Sequence, residues 1–349
     1  MVRAFEAGTK GEDFDVFAAE IARFQAAHVP GYARLCAARG VWPASIARAS
    51  DAPAVPADAF KLARVFGFDD AACAYAFRTS GTSTGARGVH RFRDISTYDA
   101  GALAFGRRML LGDANRAQVL VLGPSDAAAP DSSLAHMCSL FARAFGDRPD
   151  CFFVRPGSLD LALLRERVAA LSPEPPALVL ATSFALVHLL DALEGSALAL
   201  PPGSRVMQTG GFKGRSREVD AGELRREVAR ALSVEERYVV GEYGMTELSS
   251  QFYEGTIVHP HAEAGVYVEP PWARVVPVDG ETLAAVADGE VGIARIEDLA
   301  NVDSAFAVLT QDRVRRVPGG FELLGRAPGA PPRGCSIGLD EMLSADGTP

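Results

Sequence analysis

Two short segments hold the side chains best suited to chemistry. In Thr79-Ser80-Gly81-Thr82-Ser83-Thr84-Gly85-Ala86-Arg87-Gly88, hydroxyls and glycines crowd together after the strand-like Tyr75-Ala76-Phe77. Glycines let successive backbone N–H groups turn toward one anion, and hydroxyls add donors without a counter-charge, which suits a triphosphate. The Gly-Lys-Ser/Thr ending of a Walker loop is missing, and taken alone the segment is equally a Gly/Ser surface turn. The second segment, Gly241-Glu242-Tyr243-Gly244-Met245-Thr246-Glu247, follows a strand-like run ending at Val240. Ligands of open parallel sheets bind at the carboxyl ends of strands. Glycines on either side of Tyr243 let its ring lie against a planar base, and Glu247 offers oxygen to a hard cation. Taken alone, this stretch reads as readily as a strand-to-helix turn with Glu247 in the first helical turn.

The elements that must position these segments alternate in type. Phe17, Ile21 and Phe24 fall at helical spacing between Asp13 and Arg39, with Pro30 breaking the run. Strands are expected at Gln118–Gly123, Cys151–Arg155, Ala177–Ala181, Arg205–Gln208 and Arg237–Val240. Helices are expected at Ser132–Phe145, Leu159–Leu171, Phe184–Leu193 and Arg217–Leu232. That alternation predicts an α/β fold with a largely parallel sheet. Beyond Gly255 the helical pattern fades, and Gly265–Val278, Val291–Ile296 and Phe306–Leu309 read as strands. The expected division is a helical segment over 1–60, an α/β core over 61–264 and a β-rich part with a Gly/Pro-rich tail over 265–349.

Composition narrows the class of function. The 349 residues are 48% hydrophobic and 23% charged, which fits a globular chain. A net charge of -9 gives no general attraction for nucleic acid or anionic membrane, so an anionic ligand must be captured locally. Five scattered cysteines without a CxxC pair fit neither a disulfide framework nor a zinc ribbon. His259 and His261 have metal-like spacing but no third ligand. With no apolar run near the roughly 20 residues of a membrane span, and no secretory pattern at Met1–Asp15, a cytoplasmic location is expected.

Taken together, the hydroxyl-rich loop and the Tyr-Gly-Met-Thr-Glu string resemble the phosphate-loop and adenine motifs of the adenylate-forming (acyl-CoA ligase-like) superfamily. Thr310-Gln311-Asp312, with Gly325-Arg326 following, is similar to its Thr-Gly-Asp and Gly-Arg elements. Within that superfamily, Phe77–Thr82, Gln208–Gly214, Glu242–Gln251, Asp298-Leu299-Ala300-Asn301 and the Gly325–Ser336 tail look like the acyl-protein synthetase (LuxE-type) family. The resemblance runs from about Phe60 to Leu343.

It implies ATP-dependent activation of a carboxylic, typically fatty, acid to acyl-AMP. The acyl group then passes to a C-terminal cysteine, here Cys335, and on to a reductase or acyltransferase partner. By the same resemblance Thr79, Ser80, Gly81, Thr82, Ser83 and Thr84 embrace the β- and γ-phosphates, assisted by Arg87. Tyr243 stacks on adenine within Glu242, Gly244, Met245 and Thr246, with Gly210 and Gly211 on the other face. Asp312 takes the ribose, Arg326 phosphate and ribose, and Glu247 Mg²⁺. Two departures stand out. Ser83 is extra relative to Thr-Ser-Gly-Thr-Thr-Gly, and Arg87 replaces a common lysine while keeping its charge. The full mobile C-terminal lid domain of longer ligases, with its lysine, is expected to be absent; Lys213 is the candidate replacement, and equally a solvated turn lysine. The alternatives are a stand-alone ligase that acylates coenzyme A, and a nucleotide-binding protein without turnover.

Overall fold

The computed structural model describes residues 1–9, 11–79, 87–146, 148–155, 158–210, 220–259, 261–327 and 342. The chain divides into two units, one formed by 102–244 and 251–267, the other by 1–101, 245–250 and 268–349.

In the first of these, four apolar runs form parallel strands in chain order: Gln118–Leu122, Ala177–Thr182, Arg205–Thr209 and Val239–Tyr243. Near-continuous apolar strands such as Ala177–Thr182 are what a sheet covered on both faces requires. Phe252–Glu254 adds an antiparallel strand beside Val239–Tyr243. The crossover helices start where polar side chains can hold free N–H groups. Ser132 caps Ser133–Phe145, Asp160 caps Leu161–Ala169, Thr182 caps Ser183–Leu193 and Asp220 caps Ala221–Leu232. Leu164, Leu186, Leu189, Leu224, Val228 and Leu232 of three of these helices pack with Leu120, Val179 and Val206 of the sheet. A second apolar layer gathers Phe105, Met137 and Tyr253. Here Gly106 lets a backbone approach a ring, since a Cβ on it would stand 2.5 Å from Phe141 Cζ.

The other unit is antiparallel. Ala273–Val278, Val291–Asp298, Ala307–Val317 and Gly320–Arg326 pair in sequence, and Val55–Pro56 runs parallel to the start of the third. The helices Phe14–His28 and Pro30–Ala38 meet at Pro30, as the sequence predicts. Tyr75–Arg78 and Val89–Phe92 form a hairpin whose ends flank the hydroxyl-rich segment.

The strand expected from Arg237 begins later. Glu236–Tyr238 form a 3-10 turn, and the strand is Val239–Tyr243. The charged run pairs with itself at the surface, Arg237 Nε reaching Glu235 at 2.9 Å, which a central strand could not accommodate. The expected strand Cys151–Arg155 is reduced to a bridge at Phe152 and the pair Val154–Arg155. Gly265–Val278 is split by Pro270-Pro271 into Val266–Val268 and Ala273–Val278, because proline cannot donate to a ladder. No helix among the described residues is long and apolar enough to cross a membrane.

Candidate active site

Ser80, Gly81, Thr82, Ser83, Thr84, Gly211, Lys213 and Cys335 lie outside the described residues. The neck of the hydroxyl-rich segment is described. Thr79 N donates to the Gly88 carbonyl at 2.9 Å, and Gly88 N donates back to Thr79 Oγ1 at 2.9 Å. Arg87 is exposed, and its Nε donates to the Thr79 carbonyl at 2.6 Å. The hairpin thus returns the chain on itself, with Thr79 and Gly88 side by side and the guanidinium at the opening.

The Met245–Ser250 stretch of the same unit runs into a buried socket. Asn301 Nδ2 donates to the Glu247 carbonyl at 2.9 Å and to the Ala305 carbonyl at 3.0 Å. Ser249 Oγ donates to Asn301 Oδ1, while Ser249 N and Ser250 Oγ donate to Asp298 at 2.8 and 2.7 Å. Gln25 completes the socket, donating to the Asn301 carbonyl at 2.7 Å and accepting from Phe306 N at 3.1 Å. On the hairpin side, His90 Nδ1 bonds the Thr246 carbonyl at 2.8 Å, which places the proton on that nitrogen. Burial pushes His90 down to about 4, so it stays neutral. The Asp298-Leu299-Ala300-Asn301 string is therefore a positioning device for the residues around Glu247, a role that sequence alone did not assign.

Glu247 itself is buried. Desolvation pushes its carboxyl above the usual range, and a backbone hydrogen bond and the charges of Lys61 and Arg326 pull it back. Asp312 and Arg326 face each other across the hairpin of Ala307–Val317 and Gly320–Arg326, with Nε to Oδ1 at 3.5 Å. Their spacing in sequence is the length of the intervening hairpin. Gly325, at φ 78, takes the left-handed conformation just before Arg326. Gln311, where the superfamily pattern has glycine, donates from Nε2 to Asp58 Oδ2 at 2.6 Å, and Asp58 Oδ1 accepts from Lys61 Nζ at 2.7 Å. Asp58 and Lys61 were not singled out from sequence; the glutamine in the Thr-Gln-Asp string was the one signal available.

The other unit holds Gly210, Glu242, Tyr243 and Gly244. Gly210, at φ 73, ends the strand Arg205–Thr209, and its carbonyl accepts from Ser183 Oγ at 2.6 Å. Thr209 Oγ1 donates to Glu242 on the neighbouring strand. Burial pushes Glu242 up to about 7, against the pull of that hydroxyl. A Cβ on Gly244 would stand 2.6 Å from Glu242 Oε1, so the glycine leaves room for this carboxyl. Gly241 makes room for other neighbours: its Cβ would meet Tyr267 Oη at 2.9 Å and Glu254 Cδ at 3.0 Å. Glu254 is buried and accepts from Arg225 Nη2, Gly241 N and Gly265 N. Tyr243 is largely covered, its ring 6.0 Å from Phe252 and 6.3 Å from Tyr267 between centroids.

Known structures of similar fold include ligases. The chain is similar to a 2-hydroxyisobutyryl-CoA ligase in an open conformation with 2-HIB-AMP and CoA (TM-score 0.65, 13% identity, 89% of this chain and 73% of that one). It is also similar to the same ligase in its postadenylation state (TM-score 0.65, 13% identity, 93% and 67%). A third likeness is to ATP-bound MatB from Rhodopseudomonas palustris (TM-score 0.51, 16% identity, 73% of this chain), of which the chain spans 48%. At these identities the likeness establishes the fold. No curated protein sequence matches the chain. The family model described as acyl-protein synthetase, LuxE, matches residues 12–344, and the chain belongs to that family of AMP-forming ligases.

Proposed function

We propose that the protein activates a fatty acid with ATP and passes the acyl group to its own Cys335, then to a partner such as an acyl reductase or acyltransferase. The family match over residues 12–344 is the observation that supports this reading. In the first step a carboxylate oxygen bonds to the α-phosphorus of ATP, the bond to the bridging oxygen breaks, and pyrophosphate leaves. In the second, a thiolate attacks the acyl carbon, the bond to AMP breaks, and AMP leaves with its electron pair.

Each role falls to a named residue. Asp312, paired with Arg326, is the acceptor for ribose hydroxyls, and Arg326 and Arg87 are donors to phosphate oxygens. Thr79 and the hydroxyls of 80–84 add neutral donors, and Tyr243 with Gly210 and Gly211 serves the base. No group of three or more His, Cys, Asp or Glu converges as a metal cage among the described residues. One buried carboxylate, Glu247, nonetheless fits Mg²⁺, which keeps its waters and shares its ligands with phosphate. Bound there, Mg²⁺ would neutralise phosphate charge. Burial pushes Cys36 and Cys151 up to about 11 and raises Cys138 too, leaving them poor nucleophiles at neutral pH. That leaves Cys73, half-buried with its Sγ donating to the Tyr75 carbonyl at 3.2 Å, and Cys335, which alone stands near Arg333 and Arg326 in sequence.

The test is mass spectrometry after incubation with ATP, Mg²⁺ and a panel of short- to long-chain acids. The expected result is AMP release and an acyl adduct lost in Cys335→Ala. Acyl-CoA formation without an adduct would instead favour the stand-alone ligase, and neither product would remove the ligase assignment.

A further inference from the structure

Adenylation builds charge on phosphate oxygens, and a fixed cation at that point is worth a large rate factor. Of the 35 Lys and Arg residues only three are lysines, Lys10, Lys61 and Lys213. Lys61 is the one among the described residues. Given the ligase function proposed above, we infer that Lys61 is a catalytic cation of the adenylation step, contacting ATP phosphate oxygens, with Asp58 and Gln311 as its positioning residues.

Three contacts place it there. The stem of Lys61 crosses the neck of the hydroxyl-rich segment: a Cβ on Gly88 would stand 3.5 Å from Lys61 Cγ and 3.0 Å from Thr79 Cγ2. Its short helix, Ala59–Leu62, is tied to the turn before Glu247, because Phe60 packs edge-on against His90 at 5.6 Å and His90 bonds the Thr246 carbonyl. Its ammonium rests on Asp58, which also accepts from Gln311, the residue before Asp312 on its strand. The side chains of Lys61 and Asp58 are 29% and 27% exposed, so the ammonium is reachable yet tethered. One lysine thus touches the neck of the phosphate segment and, through Asp58, is linked to Gln311 on the strand that carries Asp312, and its charge acts on Glu247. An ammonium on a flexible stem is a compact point charge with three donors, able to follow charge as it moves from carboxylate to pyrophosphate. A guanidinium fork is less suited to that task.

Acid-dependent ATP–pyrophosphate exchange tests the inference in the full chain. Lys61→Gln is expected to lower the exchange kcat by about 100-fold or more, while affinity for a non-reactive acyl-sulfamoyl adenosine stays within about threefold of wild type, since that analogue has no β- or γ-phosphate. Lys61→Arg is expected to recover part of the rate. Gln311→Ala is expected to lower kcat about tenfold with KM for ATP unchanged. A second readout is independent of turnover. ATP with Mg²⁺ is expected to protect Lys61 from amine-directed labelling, located by peptide mass spectrometry.

Exchange by Lys61→Gln within about threefold of wild type, or labelling indifferent to ATP, overturns the inference and leaves the ligase function standing. Loss of analogue binding together with exchange assigns Lys61 a structural role and also overturns it. Absence of exchange in the wild type with every acid removes the ligase function, and this inference with it.

Discussion

Replacing Glu242 by Gln gives a pH-dependent gain in stability whose size follows from its surroundings. The carboxyl is buried on a central strand with the Thr209 hydroxyl as its donor, and burial pushes it up to about 7 from an ordinary 4.5. Between those two values the folded chain holds a proton that the unfolded chain has released. Stability therefore falls as pH rises through this window, and the penalty is complete above it. A shift from 4.5 to about 7 corresponds to about 3 kcal/mol. Glutamine mimics the protonated form, and its carbonyl can still accept from Thr209. Glu242→Gln is thus expected to match wild type near about pH 4, below the unfolded value, and to exceed it by about 3 kcal/mol near about pH 8. Other buried groups, such as His90, titrate in both proteins and cancel in the difference. Both tryptophans, Trp42 and Trp272, lie in the other unit, so their fluorescence is a poor reporter. Urea titrations can instead be read from labelling of the buried Cys138 and Cys151, pulsed at one fixed pH. A difference between variant and wild type that stays flat within about 0.5 kcal/mol over this range would refute the assignment of a desolvated carboxyl.

Three further outcomes follow from the geometry. Arg326→Ala, whose side chain is 65% exposed, is expected to leave stability within about 0.5 kcal/mol and to raise KM for ATP about tenfold or more, read by urea titration and exchange kinetics. Asn301→Ala strips partners from the Glu247 carbonyl and Ser249. It is expected to cost about 2–3 kcal/mol and to raise the Mg²⁺ concentration for half-maximal exchange. Gly106→Ala drives a methyl into the buried Phe141 ring and is expected to cost about 1–3 kcal/mol, partly recovered by adding Phe141→Leu, as thermal melts will show.

The parallel strands were legible because fully apolar runs such as Gln118–Leu122 and Ala177–Thr182 sit between capped amphipathic helices. The family strings were legible as well, since Glu242–Gln251 and Asp298–Asn301 are unusual in residue type. Sequence could not show what those strings do to each other. Asp298 and Asn301 grip Ser249, Ser250 and Glu247 from about fifty residues away, and nothing in either string announces the pairing. Asp58 lies still farther from Gln311, and an Asp and a Lys three residues apart read as an ordinary surface pair. The strand Gly320–Arg326 escaped notice because glycines at both ends dilute its apolar pattern. The helix Ser96–Gly106 and its π-helical continuation Arg107–Leu111 were also missed, being apolar around most of their circumference and so weakly periodic.

The hairpin carrying Asp312 and Arg326 restricts how this part of the gene can change. Side chains alternate faces along a strand, so adding or deleting one codon between the two would swing the guanidinium to the opposite side of the sheet. The register shift between Asp312 and Val314 already spends the one irregularity the ladder holds there. Length variation among descendants of this chain is therefore expected only in steps of two residues, confined to the tip at Val317-Pro318-Gly319-Gly320.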